Sequence, residues 1–182
     1  MTDVAEPQLP LKLADRAAQL VAELKMRAVM LVTAESCTGG LIAAAITEIP
    51  GASEILDRGF VTYSNAAKME ILGVDAGILG VHGAVSRTCA IAMAEGALQK
   101  AHAHVAVSVT GIAGPGGGSP GKPVGLVHFA VARSGGATVH RERYFGDLGR
   151  NLVRLDAACF AIDLILEALS LETPSLSHNP ET

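Results

Sequence analysis

With no Trp, two Tyr and four Phe in 182 residues, the chain lacks the stacking platforms that hold single-stranded nucleic acids. Its 14 Lys+Arg against 18 Asp+Glu also provide no basic stripe for a phosphate backbone, so nucleic acid is not expected as a ligand. Cysteine is scarce as well. Cys37, Cys89 and Cys159 are odd in number, far apart and never in C-x-x-C spacing, which excludes a disulfide framework and a zinc knuckle and fits small buried residues in a reducing compartment. The six histidines show no ligand spacing of the H-E-x-x-H kind, and no metal or other cofactor is expected. No uninterrupted apolar run approaches the roughly 18 residues a membrane helix requires. The opening MTDVAEPQLPLK mixes acids and prolines where a secretory signal would be basic and then apolar. A cytoplasmic protein without a membrane span is the expectation.

Helical and strand patterns alternate along most of the chain. In residues 9–27, Leu13, Ala17, Leu20, Val21 and Leu24 recur at helical spacing with charges on the other face. The run AVMLVTAES (28–36) reads as a strand, and CTGGLIAAAITEIPG (37–51) as a helix with Gly39 and Gly40 in its first turn, closed by Pro50 and Gly51. RGFVTYS (58–64) predicts a second strand. Ser64 is placed to cap a helix over NAAKMEILG that stops at Gly73. Residues 86–102 form another helical pattern. AHVAVSVTG then alternates Val105, Val107 and Val109 with small residues, as a buried strand does. After it, GIAGPGGGSPGKPVG packs seven glycines and three prolines into fifteen residues. LVHFAVAR and ATVHRERYF follow as a hairpin, and a last helix over 148–171 offers Leu152, Leu155, Ala158, Phe160, Ile162, Leu166 and Leu169 as apolar contacts. The expected fold is a three-layer α/β/α domain, its mixed and mostly parallel sheet ending in a β-hairpin with helices on both faces. That domain spans 12–171, between flexible ends at 1–11 and 172–182. Strand order is not legible at this level.

Four constellations can carry chemistry. In TAESCTGG, Ser36 stands at the end of a buried strand and the mouth of a helix, where amide N–H groups go unpaired. Amides around Cys37, Thr38, Gly39 and Gly40 can stabilise an oxyanion if Ser36 is a nucleophile, or bind a phosphate; alternatively Ser36 or Thr38 simply caps the helix. In YSNAAK, Tyr63 and Lys68 flank a strand-to-helix turn. Lys68 is either a surface lysine or an amine whose pKa is lowered by burial or a nearby cation. The glycine loop nearly spells a phosphate-binding G-x-x-x-x-G-K-[ST] in GGGSPGK. Pro123 occupies the place of the magnesium-binding hydroxyl, however, and a strand follows instead of a helix, which argues against a nucleotide triphosphatase. Thr110, at the end of the preceding strand, can project into the same cleft as Ser36. Finally, Arg150 and Arg154 share one helical face, either as a phosphate grip or as a solvated surface.

Taken together, TAESCTGGLIA, RGFVTYSNAAKMEILGV, GAVS, VSVTGIAGPGGGSPGKPVGLV and FGDLGRN resemble the C-terminal domain of the competence- and damage-inducible protein CinA, a family that includes nicotinamide mononucleotide amidohydrolase. The resemblance runs from about residue 12 to 170. It implies metal-independent hydrolysis of the carboxamide of nicotinamide mononucleotide (NMN) to nicotinate mononucleotide and ammonia. It further implies Ser36 as nucleophile, Lys68 as base, and Tyr63 and Thr110 beside them. Cys37, Thr38, Gly39, Gly40, Gly111, Gly114, Gly116, Arg150 and Arg154 are the residues expected to bind substrate. One departure stands out: where the family pattern reads GDR-x-x-x-R, this chain reads GDLGRNLVR, and an insertion after Asp147 brings Arg150 and Arg154 into the arginine positions. Longer relatives add an N-terminal domain resembling molybdopterin-binding proteins. Neither that domain nor a pyrophosphatase activity associated with it is expected here. A homo-oligomer is expected. The competing readings are a catalytically silent nucleotide-binding module and an interaction protein of competence or DNA-damage responses.

Overall fold

A computed structural model describes residues 9–170. Helix α1 (Leu11–Met26) buries the five residues that its spacing singled out, Leu13, Ala17, Leu20, Val21 and Leu24. Strand β1 (Leu31–Glu35) follows, buried along its whole length, and leads through a turn to α2 (Leu41–Thr47). After a short 3-10 turn at Ala52–Glu54 come β2 (Leu56–Val61) and α3 (Asn65–Leu72). The α3 boundaries are local chemistry. Ser64 Oγ accepts the Ala67 N–H at the start, and Gly73 ends the helix at φ 70°. Next are α4 (Ala76–His82), α5 (Arg87–Gln99), β3 (Val105–Gly111), β4 (Leu126–Arg133), β5 (Val139–Tyr144) and α6 (Arg150–Ser170).

The sheet order is β2-β1-β3-β4-β5. β1 pairs in parallel with both β2 and β3, β4 runs against β3, and β5 returns against β4, so only β4 opposes the rest. The expected three layers and closing hairpin are present. One face carries α1, α2 and α6 over Val105, Val107, Val109, Val127, Phe129 and Val131. The other carries α5 and the end of α3 over Val32, Ala34, Ala106, Ala130 and Ala132. Period-two alternation in β3 and β4 thus sends branched and aromatic residues to one side and mostly small ones to the other, where the Ala-rich α5 packs closely. The few aromatics are concentrated in the first core. Phe129 is fully buried and meets Phe160 edge-on at 4.8 Å between ring centroids and Phe145 at 6.4 Å.

Three expectations need correcting. Gly39 (φ +62°) and Gly40 (φ +92°) precede α2 instead of forming its first turn, because left-handed backbone cannot enter a right-handed helix. Helix α4 was not foreseen. It is seven residues long and buries none of them, so it leaves no apolar periodicity in the sequence. Leu152, expected among the core contacts of the last helix, is 49% exposed. The expected C-terminal tail and most of the expected flexible N-terminus lie outside the described residues, while Leu11 already opens α1. Among the described residues, no helix is long and apolar enough to cross a membrane.

Candidate active site

Parallel pairing of β1 with β2 and β3 brings three strand ends to one edge of the sheet, and Ser36 is the first residue beyond β1 there. Its N–H still donates to Val109 O (2.9 Å), which extends the strand pairing, and its C=O accepts the Gly39 N–H (3.0 Å), which turns the chain into α2. The hydroxyl is therefore set on a fixed backbone at the floor of a cleft of about 260 Å³. Ser36 itself is buried, with 8% of its surface exposed.

Lys68 faces it from α3. The Lys68 side chain is 1% exposed, and Nζ donates to Ser36 Oγ (3.0 Å), Thr62 O (2.7 Å) and, at longer range, Tyr63 O (3.4 Å). It is not the surface lysine that its residue type suggests. Leu72 and Val74, at the end of α3, pack into the second core beside Cys89, Ala90 and Met93, which draws the helix down and carries Lys68 inside. Among the described residues no carboxylate lies within ion-pair distance of Nζ. Burial accordingly pushes the amine down from its usual value of 10.5. Three acceptors suit either charge state: an ammonium donates to all three, whereas a neutral amine gives its two N–H groups to the carbonyls and turns its lone pair to the Ser36 hydroxyl.

Thr110, Cys37, Gly111, Gly114, Gly116 and Arg150 line the same cleft, as does Tyr63. Thr110 is fully buried and its hydroxyl donates to Ala84 O (2.8 Å), which ties β3 to the segment before α5. Tyr63 is 58% exposed and stands at the mouth of the cleft. Its phenol oxygen accepts from Arg150 Nη2 (2.6 Å), while Arg150 Nη1 donates to Gly114 O (3.1 Å). One guanidinium therefore holds the glycine loop and the phenol together. Burial drives the Cys37 thiol up to about 12, so beside Ser36 it is a small neutral group.

Thr38, Gly39, Gly40 and Arg154 lie outside the cleft lining. Thr38 is fully buried, and Arg154 Nη2 donates to its carbonyl (2.9 Å). Arg150, the first residue of α6, thus faces the cleft, whereas Arg154, one turn further along the same helix, donates to the back of the Ser36 turn.

Glu35, the last residue of β1, escaped sequence reasoning. Fully buried, its carboxylate accepts from the N–H groups of Gly40 (3.0 Å), Ile42 (3.1 Å) and Ala43 (2.9 Å). Much of the helix-mouth amide array expected to bind an anion is thus already filled by the protein's own anion. An acid at the end of an otherwise apolar strand, five to eight residues before a helical run, was the available signal.

The family model of the CinA C-terminal domain matches residues 13–169. A nicotinamide-nucleotide amidohydrolase, PncC, from Enterobacter agglomerans is 50% identical over 156 residues, covering 85% of this chain and 94% of that protein. A CinA-like protein of Anaeromyxobacter dehalogenans (strain 2CP-C) is 49% identical over 150 residues, 82% of this chain, and the match spans 36% of that relative's length. Among solved structures, the competence/damage inducible protein CihA from Agrobacterium tumefaciens superposes with a TM-score of 0.86 at 48% identity, covering 88% of this chain and 98% of the other. A CinA superfamily protein from Escherichia coli gives 0.82 at 34% identity, covering 89% and 94%.

Proposed function

Because the chain belongs to the CinA C-terminal domain family, we propose that its cleft hydrolyses the carboxamide of nicotinamide mononucleotide, releasing ammonia and nicotinate mononucleotide. The observation that carries this reading is the contact between Lys68 Nζ and Ser36 Oγ, 3.0 Å apart in a buried setting without a carboxylate. A serine needs a base to attack an amide, and a lysine can be that base only when it is neutral. The substrate is suggested by the name of the Enterobacter relative, which this chain matches over nearly its whole length.

In the first half-reaction neutral Lys68 takes the Ser36 proton as Oγ bonds to the carboxamide carbon. The resulting Lys68 ammonium then returns that proton to the departing nitrogen as the C–N bond breaks, and ammonia leaves. Water, deprotonated by the same amine, attacks the ester so formed. The acid departs, and the serine recovers its proton. Oxyanion stabilisation falls to the start of the Ser36 turn, since the amides of Gly40, Ile42 and Ala43 already donate to Glu35. Arg150, at the cleft mouth and free to offer further N–H donors, is the group for the 5′-phosphate. The setting that completes this reading is cytoplasmic pyridine nucleotide salvage, in keeping with three free buried cysteines, in a homo-oligomer.

The test is ammonia release from NMN by the purified protein, with Ser36→Ala as control and size-exclusion chromatography for the assembly. No release above that control at substrate saturation would refute the activity.

A further inference from the structure

We propose that Glu35 is a positioning residue for the Ser36–Lys68 pair, clamping the serine turn through its carboxylate and the lysine's carbonyl cradle through its backbone. This deepens the proposed function and rests on Ser36 and Lys68 reacting as a pair.

Two separate connections run from this one residue. On the side-chain route, three amides of the segment after Ser36 donate to the two carboxylate oxygens, Gly40 and Ile42 to Oε2 and Ala43 to Oε1. Residues 36–40 are thereby closed into a loop whose two ends are both anchored on Glu35, one covalently and one by charge-assisted hydrogen bonds. Gly40 holds this loop in left-handed backbone, so the turn needs an anchor outside the helical ladder. On the backbone route, Glu35 C=O accepts the Thr62 N–H (2.9 Å), and Thr62 C=O is the acceptor closest to Lys68 Nζ (2.7 Å). Both partners of the 3.0 Å contact are thus referenced to a single buried residue.

A carboxylate is the side chain that fits. It carries two acceptor oxygens and no donor against three N–H groups, and it sits where the amides of the α2 mouth concentrate positive potential. Glutamine, nearly the same shape, has one acceptor oxygen and would turn an NH₂ toward at least one of those amides. Aspartate keeps the charge but is one methylene too short to span from β1 to Ala43.

The experiment measures Ser36 itself, by its rate of acylation with a fluorophosphonate probe followed by intact-mass spectrometry, alongside NMN turnover. Wild type, Glu35→Gln, Lys68→Met and the double variant are compared at a temperature where circular dichroism shows each folded. The expected result is that Glu35→Gln slows acylation at least about tenfold and lowers kcat for NMN by a similar factor with KM little changed. In the double variant the losses should fall well short of multiplying, because Glu35 acts by keeping Ser36 within reach of Lys68. A residue that merely stabilises the fold gives independent, multiplying effects, and that outcome, like wild-type acylation in Glu35→Gln, overturns the proposal. If Glu35→Gln does not fold, Glu35→Asp goes through the same cycle with the same two criteria. Wild type that acylates through Lys68 but leaves NMN intact refutes the substrate and leaves the positioning role to be decided by the cycle.

Discussion

Lys68 Nζ and Ser36 Oγ lie 3.0 Å apart although 32 positions separate them in the chain. The lysine is the fourth residue of α3 and the serine the first beyond β1, and parallel pairing of β1 with β2 closes the gap between them.

Removing the serine hydroxyl is the direct test of that contact. Ser36→Ala deletes one atom from a turn of small residues, so the protein should fold with an unchanged thermal midpoint while ammonia release from NMN disappears. Retention of more than about a tenth of wild-type turnover removes Ser36 as nucleophile.

Lys68 should leave a signature in both activity and stability. Its folded pKa lies below the unfolded 10.5, so between these two values the unfolded chain binds the proton that the folded chain has shed, and stability rises with pH across that window. Below the folded pKa the buried charge imposes its full penalty. Activity should climb with pH as the amine becomes neutral. Lys68→Met should abolish turnover, match or exceed wild type in thermal stability near neutral pH, and lose that advantage as pH rises toward 10.5. Urea denaturation series across pH check this, and a stability gap that does not vary with pH contradicts it.

The two arginines should separate. Arg150 lines the cleft, and Arg150→Ala should raise KM for NMN by about tenfold to a hundredfold, the equivalent of roughly 1.5–3 kcal/mol for a charge-assisted contact, with a smaller effect on phosphate-free nicotinamide riboside. Arg154 donates to Thr38 O behind the serine turn, so Arg154→Ala should lower the thermal midpoint and leave KM nearly unchanged. Equal KM effects from both variants would show that they form one phosphate grip after all.

Cys37 should resist alkylation in the folded protein. With its thiol pushed up to about 12, almost no thiolate exists at mildly alkaline pH, although the residue lines the cleft. Peptide mass mapping after iodoacetamide treatment should find Cys37 unmodified until denaturant is added. Labelling of native protein as fast as free cysteine would mean that the turn opens.

Gly96→Ala should destabilise, against the usual preference for alanine of about 1 kcal/mol in a helix interior. A Cβ there would come within 1.9 Å of the Leu72 carbonyl oxygen, at the end of the helix that carries Lys68. Pushing α3 off α5 should cost about 1–3 kcal/mol and reduce turnover through Lys68. A higher thermal midpoint with full activity would place α3 and α5 further apart.

How much of this was legible depended on the range of the physics. Features set within a few residues could be read directly: the amphipathic stripe of α1, the Ser64 and Gly73 boundaries of α3, the alternation that makes β3 a buried strand, and the turn that folds β4 onto β5. Ser36 and Lys68 were readable as candidates because hydroxyl and amine chemistry is fixed by residue type. The burial of Lys68 was not, since it depends on Leu72 and Val74 finding the α5 face of the sheet, and desolvation is a property of everything packed around a group. Arg150 and Arg154 look equivalent on a helical wheel, and only the placement of α6 against the serine turn sends them to different sides. Glu35 reads as one more charged residue until the fold closes around it. Its role follows from three amides that the sequence leaves unpaired and that the tertiary structure turns toward the same buried carboxylate.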